Sequence, residues 1–174
     1  MQDLGSMIRN VPDFPKKGIG FKDITTLLKD GAIFKETIDR MASLYNPDDI
    51  DIIVGIEARG FIFGSALAYV LEKPFVPIRK PGKLPAEVIK EEYSLEYGTD
   101  TIEIHKDAIK PSQRVLIVDD LLATGGTVAA ATRIIEKLGG TVAGIVFLIE
   151  LTFLNGINKL KKYKVDSFIK FDSE

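Results

Sequence analysis

The stretch VLIVDDLLATGGT, residues 115–127, joins an apolar run to two adjacent carboxylates, Asp119 and Asp120. Ala123-Thr124-Gly125-Gly126-Thr127 then opens a predicted helix. Backbone N–H groups at a helix N-terminus have no partner within the helix and carry the positive end of its dipole, so they bind phosphate. Glycines let the main chain approach such a ligand closely, and the threonines add hydroxyl donors. Carboxylates next to a phosphate repel it unless they serve another part of the same ligand. Two partners suit them: a divalent metal, or sugar hydroxyls that donate hydrogen bonds. A phosphate at the glycines and a diol at the aspartates together describe a ribose 5-phosphate. A helix cap and a tight turn would account for a lone Asp-Asp or Gly-Gly, but not for this ordered string after a buried strand. The two standard nucleotide loops, GxxxxGK[ST] and GxGxxG, do not occur.

Further stretches supply complementary groups. GIEARGF, Gly55–Phe61, reads as a second strand-to-helix turn, with Arg59 and Gly60 at its mouth. A helix N-terminus with an arginine suits a second anion. KPGKLP, Lys80–Pro85, follows Arg79 and gathers Arg79, Lys80 and Lys83 in one loop. SLEYG, Ser94–Gly98, offers Glu96 as an acid/base candidate, although an exposed loop is the usual fate of a glutamate. In GIGFKDIT, Gly18–Thr25, Phe21 offers a ring for stacking, and Asp23 is placed to cap the helix that follows. His105 is assigned to structure, since no second histidine and no cysteine exist to work with it.

The elements that must position these residues follow from hydrophobic pattern. Ile50–Ile56, Phe75–Arg79, Val115–Val118 and Thr141–Ile149 read as strands, three of them apolar but for Asp51 and Thr141 and therefore buried. A helix is predicted from about Phe61 to Leu71, closed by Pro74. A second covers Thr127–Leu138, where Val128, Ala131, Ile134, Ile135 and Leu138 recur at helical spacing and Gly139-Gly140 ends it. Strand alternating with helix implies a mostly parallel sheet flanked by helices. Glu87–Tyr93 and Thr101–His105 form a small antiparallel excursion from that α/β core.

Composition narrows the chemistry. The 174 residues, 45% hydrophobic and 28% charged, suit one globular domain over 1–174. A net charge of −2 gives no global basic field for nucleic acid. With no cysteine, disulfides, thiolate nucleophiles and thiolate metal sites are excluded. MQDLGSMIRN carries Asp3 and lacks the apolar stretch of a signal peptide, and no apolar run reaches transmembrane length. The expectation is a soluble, cytoplasmic protein without nucleic-acid or membrane partners.

VLIVDDLLATGGT resembles the phosphoribosyl pyrophosphate signature of the type I phosphoribosyltransferases. Together with GIEARG, SLEYG and FPKKGIGFKDIT it is most similar to the adenine-using branch, over about Met7 to Phe171. The resemblance implies the type I phosphoribosyltransferase fold, with an N-terminal base-binding hood, and transfer of phosphoribosyl from phosphoribosyl pyrophosphate to adenine, giving AMP and pyrophosphate. It implies that Asp119 and Asp120 hold the ribose hydroxyls while Ala123, Thr124, Gly125, Gly126 and Thr127 hold the 5-phosphate. Arg59 and Gly60 would bind pyrophosphate, joined by Arg79, Lys80 and Lys83, with a neighbouring subunit of a homodimer as one source of that loop. Phe21 would stack on adenine, backbone groups at the Phe21-Lys22 step would read its amino group, and Glu96 would carry the purine proton. Magnesium is implied as cofactor, held mainly through substrate rather than by protein ligands.

Ala123 stands where enzymes for 6-oxopurines typically carry an aspartate base, which argues against hypoxanthine and guanine. A xanthine-using enzyme would differ only in the base pocket. A ligand-sensing regulator of nucleic acid would keep the Asp-Asp loop but add a basic patch or DNA-binding segment, and this sequence contains neither.

Overall fold

The computed structural model describes residues 3–94 and 98–173. The chain begins with a two-stranded antiparallel hood, β1 (Arg9–Val11) and β2 (Phe21–Asp23). Asp23 Oδ1 accepts the Thr25 N–H at 2.9 Å, at the start of the single turn α1 (Thr25–Leu28). The longer α2 (Gly31–Ala42) begins at Asp30, whose side chain accepts from the Ala32 and Ile33 N–H groups and so satisfies two orphan donors of the first turn.

β3 (Ile52–Ile56), α3 (Gly60–Val70) and β4 (Phe75–Ile78) form the first strand–helix–strand unit. Arg79, expected inside that strand, instead forms an antiparallel bridge with Glu103, because here the chain leaves the parallel sheet for the excursion. The excursion is a hairpin of β5 (Val88–Ser94) and β6 (Thr99–His105). β7 (Arg114–Leu122), α4 (Gly126–Lys137), β8 (Thr141–Leu151) and β9 (Val165–Phe171) complete the chain. The central sheet has five parallel strands in the order β4-β3-β7-β8-β9.

Successive strand residues point to opposite faces, and the core divides accordingly. Ile53, Leu116, Val118, Val146 and Leu148 pack under α2 and α3. Ile52, Val54, Val115, Ile117, Ile145 and Phe147 pack under α4 and the hairpin, where Ile102 and Ile104 meet Ile134 and Ile135. Both faces of β3, β7 and β8 are thus covered, which is why their sequences run apolar without alternation. Phe63 on α3 is fully buried, and its truncation to Ala would cost about 3–5 kcal/mol. The hairpin is tied to the exposed side of α4 by Glu91, which accepts from Arg133 Nε at 2.6 Å and pairs with Lys137.

Candidate active site

β3 connects to β4 on one side and β7 to β8 on the other, so the strand order reverses between β3 and β7. In open α/β sheets the crevice for ligands lies beyond the carboxyl ends at such a reversal. The two turns singled out in the sequence, Glu57–Gly60 and Ala123–Thr127, both lie there.

β7 extends past the predicted Val115–Val118 and carries both aspartates inside the strand, because β8 continues pairing with it as far as Leu122 opposite Glu150. Gly125 then turns into α4 with φ +75°, a left-handed conformation that glycine adopts without strain. The first intrahelical bond at this end runs from Ala129 N–H to Gly125 O, so the N–H groups ahead of it have no acceptor within the helix. A cavity of about 80 Å³ sits at these groups, lined by Asp119, Thr124, Gly125, Gly126, Thr127 and Phe147. The turn is braced from behind by the short helical turn Gly156–Leu160. A Cβ on Gly156 would lie 2.1 Å from Ala123 O, and one on Gly125 would lie 2.5 Å from Gly156 O. Main chain packs directly on main chain, and neither glycine can be enlarged without moving the turn.

The second turn touches the first. A Cβ on Gly60 would lie 2.8 Å from Asp119 Oδ1 and from Val118 O. Arg59 Nε lies 2.8 Å from Asp120 Oδ2, and its guanidinium sits 5.1 Å from the centre of the Phe21 ring. Asp120 is only 5% exposed, and Oδ2 receives no aligned hydrogen bond among the described residues, so Arg59 compensates it by charge alone. Burial pushes both carboxyls above the usual range. The neighbouring Asp120 raises Asp119 further, whereas Arg59 pulls Asp120 part of the way back. One arginine therefore links the three predicted subsites: Asp120, the pyrophosphate turn and the stacking ring.

The basic loop converges on Glu57. Arg79 Nε donates to Glu57 Oε2 at 3.2 Å, the Lys80 N–H donates to the same oxygen at 2.9 Å, and Lys83 Nζ pairs with Oε1. Burial alone would raise the Glu57 carboxyl, but Lys83, the Lys80 N–H and Arg79 outweigh it and hold it at about 2. The Lys80 side chain turns elsewhere, to Asp100 and the Tyr93 hydroxyl.

In the hood, β2 presents alternate residues to opposite sides. Phe21 faces the site, with Phe14 edge-on at 5.2 Å. Val11, Phe14, Phe21 and Asp23 line an apolar recess there. Lys22 points the other way and is 4% exposed, with Nζ donating to Asn10 Oδ1 at 3.1 Å and lying 4.4 Å from the centre of the Phe171 ring. Only its main chain remains toward the site. Glu96 lies outside the described residues. His105 closes β6, where its Nε2 accepts the Ala86 N–H at a long 3.4 Å.

Sequence reasoning missed Glu57 and Gly156. Glu57 read as part of a turn, and its signal lay in the three basic residues that follow twenty or so positions later. Gly156 carries no local signal, since its reason is contact with a turn distant in sequence. Among the described residues, no group of three or more His, Asp or Glu side chains could hold a metal ion, and no helix is long and apolar enough to cross a membrane.

Comparison with known proteins gives a consistent result. The family model described as phosphoribosyl transferase domain matches residues 24–173. The adenine phosphoribosyltransferase of Clostridium perfringens is 57% identical over 169 residues, covering 97% of this chain and 98% of that protein. That of Alkaliphilus metalliredigens is 60% identical, covering 97% and 99%. The crystal structure of adenine phosphoribosyltransferase from Thermoanaerobacter pseudethanolicus superposes with a TM-score of 0.93 at 58% identity, covering 95% of this chain and 96% of that one. The Saccharomyces cerevisiae enzyme, complexed with an imino-altritol bisphosphate and adenine, gives a TM-score of 0.89 at 41% identity, covering 94% of each chain.

Proposed function

The chain belongs to the phosphoribosyltransferase family, and we infer that it transfers the 5-phosphoribosyl group of phosphoribosyl pyrophosphate to adenine, releasing AMP and pyrophosphate. The observation that carries this reading is the meeting of two anion-binding turns at the strand reversal, joined by the 2.8 Å contact between Arg59 and Asp120. The type I fold sets a site for phosphate beside a site for pyrophosphate, with a base recess beneath the hood. The whole of 1–174 acts as one domain.

The work divides among the residues of this chain. The N–H groups and hydroxyls of Thr124–Thr127, with Ala123 at the entry to the turn, hold the 5-phosphate. Asp119 and Asp120 accept hydrogen bonds from the ribose hydroxyls, which supply the donor that buried Asp120 Oδ2 lacks. Ligand hydroxyls at Asp120 free Arg59 from its ion pair. Arg59, with the Gly60 N–H behind it, then faces the pyrophosphate and stabilises the charge that grows as the bond to the sugar carbon breaks. Arg79, Lys80 and Lys83 add positive charge at the same end. Phe21 stacks on adenine, and the main chain at Phe21-Lys22 reads its amino group. Glu96 carries the proton at the purine nitrogen during attack. These positions create the near-attack geometry on which the rate depends.

Magnesium suits this donor set only in company with substrate. The hard carboxylate oxygens match its chemistry, but Asp120 is committed to Arg59 and Asp119 is packed against Gly60. Held mainly through the substrate rather than by these side chains, the metal would supply neutralisation of charge on the leaving group. The exposed apolar face of α3, with Ile62, Tyr69 and Val70, is the surface on which two copies would associate as a homodimer. The enzyme works in the cytoplasm.

A base panel tests the reading. Protein, magnesium and phosphoribosyl pyrophosphate are mixed with adenine, hypoxanthine, guanine or xanthine, and nucleotide is followed by chromatography. AMP from adenine alone is expected. Nucleotide from another base at a comparable rate overturns the base assignment, and no nucleotide from any base overturns the transferase reading.

A further inference from the structure

We propose that Glu57 is a positioning residue for the pyrophosphate half of the reaction, holding Arg79 and Lys83 together beneath the turn that carries Arg59. This inference rests on the assignment of the basic loop to pyrophosphate.

Two cations gathered in one loop repel each other and, in water, disperse with their long side chains. Here both return to a single carboxylate. Arg79 reaches Glu57 through Nε and through a second nitrogen at 3.3 Å, while Lys83 pairs with Oε1. The same carboxylate accepts the Lys80 N–H and so fixes the main chain between the two cations. Glu57 is anchored in turn, because its own N–H donates to Ile78 O at 2.9 Å. A second buried carboxylate holds the far side of the loop: Glu103 Oε1 accepts the Gly82 N–H at 2.9 Å.

A carboxylate beside an anion site could equally block it, and two observations decide against that. The first is stoichiometry: Arg79 and Lys83 share Glu57, while Glu103 is paired with Lys90 at 3.5 Å, so the cluster keeps a net positive charge. The second is depth. The Glu57 side chain is 9% exposed, whereas Arg79 is 33% and Lys83 47% exposed. The carboxylate lies underneath and the cations lie outward, toward solvent. Glu57 is also two residues before Arg59, so the carboxylate couples the position of the basic loop to that of the arginine turn.

The test uses steady-state kinetics of the full-length enzyme with magnesium. Arg79→Gln sets the reference and should raise the KM for phosphoribosyl pyrophosphate. Glu57→Gln keeps the size of the side chain and its acceptor for Lys80 N–H but loses the charge that gathers the cations. It should raise that KM by about tenfold, leave the KM for adenine within about twofold, and change kcat little. Glu57→Asp, which keeps the charge, should fall between parent and Gln. On an Arg79→Gln/Lys83→Met background, Glu57→Gln should add little, because the groups it acts through are gone. If Arg79→Gln leaves the KM for phosphoribosyl pyrophosphate unchanged, the basic-loop assignment fails and takes the inference with it. If Arg79→Gln raises it but Glu57→Gln does not, the inference alone fails. A lower KM in Glu57→Gln would make the carboxylate a blocker, and equal rises for both substrates or full additivity would make it merely structural. Either result overturns the proposal. Should Glu57→Gln not fold, Glu57→Asp and the Lys83→Met single variant carry the same comparison.

Discussion

The two turns at the strand reversal, to which we assign the two anions, are built in opposite ways. The Ala123–Thr127 turn offers main-chain N–H groups, hydroxyls and a helix dipole, and its shape is fixed by glycine packed on glycine. The Glu57–Gly60 turn offers side-chain cations, held by carboxylates and partly exposed. A backbone site is set by the fold and admits one geometry. A side-chain site can release, rotate and screen its charges. The difference suits the two tasks we assign to them, a 5-phosphate held through the reaction and a pyrophosphate that leaves.

The largest expected effect lies in the side-chain half. Arg59→Ala removes the cation nearest the departing charge and should lower kcat by about 100- to 1000-fold. It also takes from buried Asp120 its paired cation, so Asp120 should protonate more readily in the variant. Measured binding of AMP should change much less than kcat. A parallel loss in both would mean that Arg59 serves the ribose-phosphate half, and the division between the turns would dissolve.

Next is Gly125→Ala in the backbone half. The added methyl carbon would stand 2.5 Å from Gly156 O at a φ of +75° that side chains rarely adopt. A shift of the turn by about 1 Å is enough to cost about 100-fold in kcat/KM. The loss should appear with phosphoribosyl pyrophosphate and with AMP alike, while the affinity for free pyrophosphate stays near that of the parent. Calorimetry with each ligand separates these. Pyrophosphate binding that falls as far as AMP binding would mean the turns are one rigid unit.

A smaller effect sharpens the same contrast through ionic strength. Exposed cations are screened as the Debye length falls below the spacing of the charges. In the reverse direction, the KM for pyrophosphate should rise about two- to fivefold between low and moderate salt. The KM for AMP, held at the interlocked turn, should rise less. Lys83→Met should flatten the pyrophosphate slope, since Lys83 is the most exposed of the paired cations there, at 47%. Equal slopes for both ligands would remove the distinction between charge and geometry.

The backbone half was also the more legible in sequence. Val115–Val118, Thr127–Leu138 and Thr141–Ile149 announced themselves by continuous apolar runs and a helical repeat ended by glycines. The Thr-Gly-Gly-Thr string carries its chemistry locally, because a helix N-terminus needs only adjacent residues. What it lacked was Gly156, whose requirement comes from the Ala123 carbonyl and the Gly125 nitrogen, 2.1 and 2.9 Å from where a Cβ would stand. The side-chain half was legible as a list of cations but not as an arrangement. Nothing local says that Arg79 and Lys83 meet on Glu57 or that Arg59 reaches Asp120, since those pairs are made by β3 lying between β4 and β7. The hood strands were unread because each is only three residues long. Lys22 shows the remaining limit: the resemblance assigned only its main chain to the base, and alternation along β2 buries its side chain on Phe171, a contact no local pattern announces.

The smallest effect concerns Asp119, where the two halves touch. Its carboxyl sits well above its ordinary value of 3.8, through burial first and the adjacent Asp120 second. A carboxyl raised on folding binds more protons in the folded chain than in the unfolded one over that interval. Its neutral form contributes stability that is complete below 3.8 and is lost as pH rises through the folded value. As pH rises, the unliganded chain therefore loses stability by ionising this carboxyl in a place that disfavours its charge. Asp119→Asn keeps an acceptor for the Asp120 N–H, which Oδ1 now receives at 2.9 Å, and removes the charge. The unliganded variant should melt at or slightly above the parent's temperature at neutral pH, and the gap should close toward acid pH. AMP should reverse the order, because ribose hydroxyls stabilise the carboxylate more than the amide. Thermal melts from pH 4 to 8, with and without AMP, read both signs at once. A variant that melts lower without ligand would show that the acidic pair is held for the fold. The burial of Asp120, only part of which Arg59 offsets, instead makes the pair a site whose cost in the empty enzyme is offset when substrate arrives.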